Sequence, residues 1–208
     1  MKGEGDNRGF WNRYARLYDF EIDRFNRQAY EEMYRLMSAS LSKKMRVLEI
    51  ATGTGLIAIH VAPSVGFVEA VDFAPRMIEA AKKKEAPSNV RFSVEDAMAL
   101  SFSPESFDAV IISNALHIMK DPSAVLQNIK RVLKPGGLLF APTFSHGHLK
   151  TSTWDLNTRF LRLIGFETYA KWLPEEYVAF IEGEGFSITN WRVLRAAFPL
   201  VYLEAKRG

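Results

Sequence analysis

Five short apolar runs, most of them separated by segments with helical spacing, restrict residues 45–144 to a narrow set of folds. The runs are "MRVLEI", "FVEAVDF", "VRFSV", "FDAVIIS" and "LLFAPTF". Between them lie "LIAIHVA", "RMIEAAKKK" after Pro75, and a segment opened by Asp121-Pro122. That last segment carries Val125, Leu126, Ile129, Val132 and Leu133 on one face and stops at "KPGG". Proline suits a first helical position, where no intrahelical partner awaits an amide hydrogen, and Asp121 suits the cap before it. Strands alternating with amphipathic helices give βαβ units: an α/β fold with a parallel sheet and helices on both faces.

The flanks follow other periods. Tyr30, Met33, Tyr34 and Met37 form one helical stripe within residues 10–41. Residues 154–180 read as two helices. "FSITNWRV" and "FPLVYLEA" are strand-like and joined closely enough for an antiparallel pair. At 208 residues without repeats, one domain over 1–208 is expected. Its parts are 1–41, the core 45–145, an insertion 150–185 and a hairpin 186–206. The absence of cysteine excludes disulfides, thiol catalysis and Cys-ligated zinc. Neither a secretory h-region nor an 18-residue apolar stretch is present, so a cytoplasmic protein is expected. A net charge of +3 does not argue for nucleic acid.

Chemistry-bearing residues gather where the strands end. In open parallel sheets ligands sit at the carboxyl ends of the strands. There the first run places Glu49 and the small-residue loop Ala51-Thr52-Gly53-Thr54-Gly55. Glycines let a ligand approach the backbone, and the next helix offers free amide groups. Asp72 ends the second run, Asp96-Ala97 follows the third and Asn114 the fourth. Each of these could be a turn or cap residue. Together, after successive strands on one side of the sheet, they point to a shared ligand.

The runs "VLEIATGTG", "VEAVDFAPRMIEAA", "EDAMALSF", "FDAVIISNALHIM" and "IKRVLKPGGLLF" resemble the class I S-adenosylmethionine-dependent methyltransferases. The style is that of enzymes acting on quinone precursors, phospholipid head groups and other small molecules. The resemblance implies a Rossmann-like, seven-stranded, mostly parallel sheet closed by an antiparallel C-terminal strand. It implies S-adenosyl-L-methionine as cofactor and S-adenosyl-L-homocysteine as product. Glu49 and Ala51, Thr52, Gly53, Thr54 and Gly55 would hold the methionine part, and Asp72 the ribose. Phe73 and Met77 would lie against the adenine, Asp96 and Ala97 would read its amine, and Asn114, Ala115 and Leu116 would pass beneath. Tyr14 and Tyr18 match the aromatic positions of a lid made by the N-terminal helix. Ala51 departs from the glycine common in the family.

A bound sulfonium is already an activated donor, so positioning supplies much of the rate. Where the acceptor must lose a proton, His117 is the first candidate base and Tyr18 the second; alternatively His117 only packs beneath the cofactor. His146-x-His148 lacks a third ligand, so no metal is expected. A nicotinamide oxidoreductase would share the glycine loop and Asp72, but not Glu49, Asp96-Ala97 or "KPGG". A non-catalytic binding module would share them all. The partner expected is a small, partly apolar acceptor methylated on N, O or C. Its pocket would draw on Trp154, Phe160, Leu163, Phe166, Tyr169 and Trp172. The Arg, Phe, Trp and Tyr mixture before Tyr30 suits a lid. It equally suits peripheral contact with a membrane, as a phospholipid head-group methyltransferase would need.

Overall fold

A computed structural model of the chain describes residues 7–15, 18–145, 167–196 and 199–208. The centre of the sheet is β1 (Arg46–Ile50), where only Arg46 is exposed. It lies parallel to β2 (Phe67–Asp72) on one side and β4 (Phe107–Ile112) on the other. Outside these pair β3 (Val90–Val94) and β5 (Leu133–Phe140), again parallel. The near-continuous apolar content of β1, β2 and β4 follows from burial on both faces.

Beyond β5 the direction reverses. The short β6 (Thr143–Phe144) and the hairpin β7 (Phe186–Leu194) and β8 (Leu200–Arg207) complete the sheet, with β8 antiparallel to both β5 and β7. β6 is the continuation of β5. Phe140 faces Glu204 and Thr143 faces Val201, so the register against β8 runs on unbroken. Pro142 lies between them and has no amide hydrogen to give. Ala141 still donates to Leu203, and its own carbonyl accepts the buried Tyr177 hydroxyl at 2.7 Å. With β5 and β6 taken as one strand, the sheet formed by the described residues is seven-stranded and mostly parallel.

Helices cover both faces. On one side α3 (Arg27–Ser40), α4 (Leu56–Val61) and the apolar edge of α5 (Pro75–Lys82) bury Met33, Met37, Val61 and Ile78 against β1, β2 and β4. On the other, α6 (Pro122–Val132) and α7 (Pro174–Gly183) bury Leu126, Ile129, Tyr177 and Ile181. Asp121 caps α6 by accepting from the Ala124 amide at 2.9 Å. The short helices α1 (Arg8–Tyr14) and α2 (Tyr18–Phe25) precede α3. Helix α5 stops at Lys82, earlier than "RMIEAAKKK" suggests, which leaves Lys84 on the turn that follows.

The expected pair of helices over 154–180 is described only from Glu167 onward. That part is irregular through Leu173 and then helical as α7. Trp172 packs on Tyr177 and Phe180, with ring centroids 5.2 and 4.9 Å away, and so packs half-buried against the core. His146, His148, Trp154, Phe160, Leu163 and Phe166 lie outside the described residues. Among the described residues no helix is long and apolar enough to cross a membrane.

Candidate functional site

The loop after β1 turns through three left-handed residues, Ala51 (φ 54°), Gly53 (φ 56°) and Gly55 (φ 79°). The left-handed backbone favours glycine at both Gly53 and Gly55, and at Gly55 crowding adds to it. A Cβ on Gly55 would stand 2.7 Å from the Phe92 ring, so packing forbids it; a Cβ on Gly53 would have nothing nearer than Tyr18, at 3.8 Å. At Gly53 the backbone conformation alone selects glycine. Asp72 braces this loop, accepting from the Gly53 amide at 2.9 Å and the Ala74 amide at 2.8 Å. Burial raises the Asp72 pKa and these two amides oppose the rise.

Beneath the loop Glu49 is 1% exposed. Thr52 Oγ1 donates to its Oε2 at 2.7 Å. Burial is the main influence on this carboxyl, and it pushes the pKa up from 4.5 to about 8, with Asp72 adding to the rise and the Thr52 hydroxyl opposing it.

A cavity of about 300 Å³ opens beside the loop at the carboxyl ends of β1, β2 and β4. Of the residues singled out in the sequence, Tyr18, Ala51, Gly53, Asp72 and Phe73 line it, and so do Met77, Asp96, Ala97, Asn114 and Ala115. Asp96 also caps the turn that follows it, accepting from the Met98 amide at 2.9 Å. Asn114 has φ 51°, a conformation asparagine tolerates better than most residues. Its side chain accepts from the Phe144 amide and donates to the Tyr30 hydroxyl, both at 3.0 Å, tying α3 to β6 behind the cavity.

The remaining candidates stand one layer back. Glu49 sits under the loop, Thr52 points down to it, Thr54 and Gly55 face the packing side, and Leu116 is buried against α6. Tyr14 stacks on Phe10 with ring centroids 5.2 Å apart, and Trp11 takes the place at the cavity that Tyr14 was expected to have. His117 is buried with Nδ1 3.0 Å from Thr143 Oγ1. The Leu116–Ile118 turn is a 3-10 helix, in which residues three apart eclipse. Ala115 and Ile118 therefore share the cavity side and His117 does not. Its carbonyl accepts from the amides of Tyr169, at 2.9 Å, and Ala170, so it orients the chain carrying Tyr169 into the cavity.

Several lining residues carried no signal in the sequence. Arg8 lies over the Phe73 ring, and Met98, Met119 and Lys120 add the far wall. Asn7 exchanges two hydrogen bonds with the Glu167 backbone, at 2.7 and 2.9 Å, and donates to the Ile118 carbonyl at 3.3 Å. These contacts join α1, the 167–173 segment and the turn after β4 into one rim.

The residues present fit S-adenosylmethionine. Among the described residues Glu49 is a buried carboxyl with a hydroxyl partner and no ion pair, although the Lys84 charge acts on it, and an incoming ammonium group would complete it. The left-handed loop leaves backbone accessible, and the cavity wall is mostly apolar. An open sheet in the order β3-β2-β1-β4-β5-β8-β7, with this loop after its central strand, defines a Rossmann-like methyltransferase fold.

Comparison with known proteins agrees. Residues 48–141 match the methyltransferase domain family. The chain is 33% identical over 169 residues to a demethylmenaquinone methyltransferase of Lactococcus lactis, covering 74% of this chain and 67% of that protein. It is 28% identical over 215 residues to a ubiquinone/menaquinone biosynthesis C-methyltransferase of Geotalea daltonii, covering 92% and 89%. Among solved structures, a chain from the Haloferax volcanii complex containing the Trm112 methyltransferase activator superposes with a TM-score of 0.80. It is 17% identical, with 96% of each chain covered, which speaks to fold alone. The protein belongs to the class I S-adenosylmethionine-dependent methyltransferases, on the branch related to quinone biosynthesis.

Proposed function

We propose that the protein methylates a ring carbon of a quinol precursor, with S-adenosylmethionine as donor. The observation that carries this reading is its similarity to a ubiquinone/menaquinone biosynthesis C-methyltransferase and to a demethylmenaquinone methyltransferase. The cavity supports it: Trp11, Phe73, Met77, Met98, Ile118 and Met119 offer a planar ring an apolar bed. When bound, the cofactor supplies an activated methyl group. The chain's own residues hold the partners and exclude water. Glu49 and the 51–55 loop take the amino-acid end, Asp72 the ribose, and Asp96 with Ala97 the adenine edge.

Tyr18 lines the cavity. Burial, above all, and its neighbour Tyr30 raise its pKa well above 10, so the phenol stays protonated at neutral pH. We therefore assign Tyr18 as a hydrogen-bond donor to an acceptor oxygen, in place of the base role considered for it. His117 we assign to positioning, through its carbonyl contacts with Tyr169 and Ala170. The relatives do not favour the phospholipid or non-catalytic alternatives. The test is incubation with methyl-labelled S-adenosylmethionine and, in parallel, demethylmenaquinol, the oxidised quinone, and phosphoethanolamine, followed by mass spectrometry. Label on a ring carbon of the reduced quinol alone is expected. Label on phosphoethanolamine alone would overturn the reading.

A further inference from the structure

One carboxylate connects the N-terminal helices to the glycine loop. Asp19, the second residue of α2, accepts from the Thr54 hydroxyl through Oδ1 and pairs with Lys84 Nζ at 2.6 Å through Oδ2. Thr54 is completely buried between the two left-handed glycines. A buried hydroxyl left without a partner is costly, so the Thr54–Asp19 bond is needed wherever α2 covers the loop. Lys84 stands on the turn after α5, whose buried residues Met77, Ile78 and Ala81 fix it to the body of the protein. Two members of the cluster thus belong to the sheet-and-helix core and one to α2. Neither Asp19 nor Lys84 lines the cavity. Tyr18, the residue before Asp19, does, directly above Gly53.

We propose that Thr54, Asp19 and Lys84 form a latch that fastens α2 to the glycine loop and so holds Tyr18 over the cavity, making Asp19 and Thr54 positioning residues of the transfer site. The two halves of the latch differ in physical character. The hydroxyl bond is buried. The ion pair is half-buried: the side chains are 25% and 41% exposed, but the Lys84 ammonium nitrogen itself is shut from water, so salt screens the pair only weakly. Lys84 supplies charge while Thr54 supplies direction. The geometry of α2 is thereby set by the same loop that the cofactor reading places under the methionine end. Only the affinity part of the test rests on that reading.

The experiment measures amide exchange of α2 in the ligand-free protein, then S-adenosylhomocysteine affinity by calorimetry. Thr54→Val keeps the shape and removes the hydroxyl; Thr54→Ser keeps the hydroxyl and removes a methyl. The latch requires exchange across Phe20–Phe25 to accelerate about tenfold or more in the Val variant and to stay near wild type in the Ser variant. A residue that merely packs would give the opposite ranking, and that outcome overturns the proposal. Asp19→Asn retains an acceptor for Thr54 but loses the charge. It is expected to speed α2 exchange less than Thr54→Val does, because the buried hydroxyl bond survives while the charge is lost. Should Thr54→Val not fold, Lys84→Met takes its place with the same expected direction. In calorimetry, Thr54→Val is expected to weaken S-adenosylhomocysteine by about tenfold. A wild-type protein that binds no S-adenosylhomocysteine would remove the cofactor reading while the exchange arm still decides the latch. Unchanged α2 exchange in every variant would remove the latch whatever calorimetry shows.

Discussion

Glu49 is the residue whose chemistry reaches furthest. Its folded pKa of about 8 lies above the ordinary 4.5, so the folded protein keeps a proton that the unfolded chain releases. Stability is therefore expected to fall as pH rises between these values and to level off above them. Glu49→Gln should flatten that slope, as read from urea midpoints between pH 5 and pH 8. A bound ammonium group would reverse the bias and expel the proton. Calorimetry of S-adenosylmethionine at pH 7 in two buffers of different ionisation enthalpy should then show proton release, and the Gln variant should not. Ala51 offers a simpler case. A left-handed alanine is strained by about 1 kcal/mol, and Ala51→Gly recovers this less the extra freedom of the unfolded chain. A net gain of about 0.5 kcal/mol is expected in the urea midpoint. Glu49, Gly53 and Asp72 were legible in the sequence because each closes or follows a strand of a βα unit, where chain order dictates place. His117 was legible as near the site, but the three-residue pitch of its turn decides which way it faces, and no local pattern announces that pitch.

Among the elements, the five core strands and the helices between them could be read from periodicity because burial on both faces writes a continuous apolar run. Helices α1 and α2 were less clear, since they pack on one another through Phe10, Trp11, Tyr14 and Tyr18. Asn7, Arg8 and Met119 reach the cavity only through such tertiary packing. Asn7 tests this rim. Asn7→Ala removes the contacts with Glu167 and Ile118, leaving backbone groups to water at the edge of the cavity. The expected result is faster proteolysis within 7–15 and an acceptor KM raised several-fold, about 1 kcal/mol, with the global unfolding midpoint nearly unchanged. A large drop in the midpoint would instead place Asn7 in the cooperative core.

At the scale of the whole molecule, the antiparallel ending was readable from two strand-like runs, but not the way β5 runs through Pro142 into β6. The register that restores this continuity comes from β8, about sixty residues later in the chain. That feature bears on how the protein is made. While a ribosome is still adding the hairpin, β1 to β5 can assemble, yet β5 presents an open flank of unpaired amides and carbonyls. Such a flank templates pairing with other chains. Nascent chains stalled near Arg195 should therefore be held by chaperones or enter aggregates, whereas chains long enough to bring β8 out of the ribosome should be protease-resistant. Biosynthesis of this protein is expected to have a vulnerable interval that ends only when β8 slides between β5 and β7.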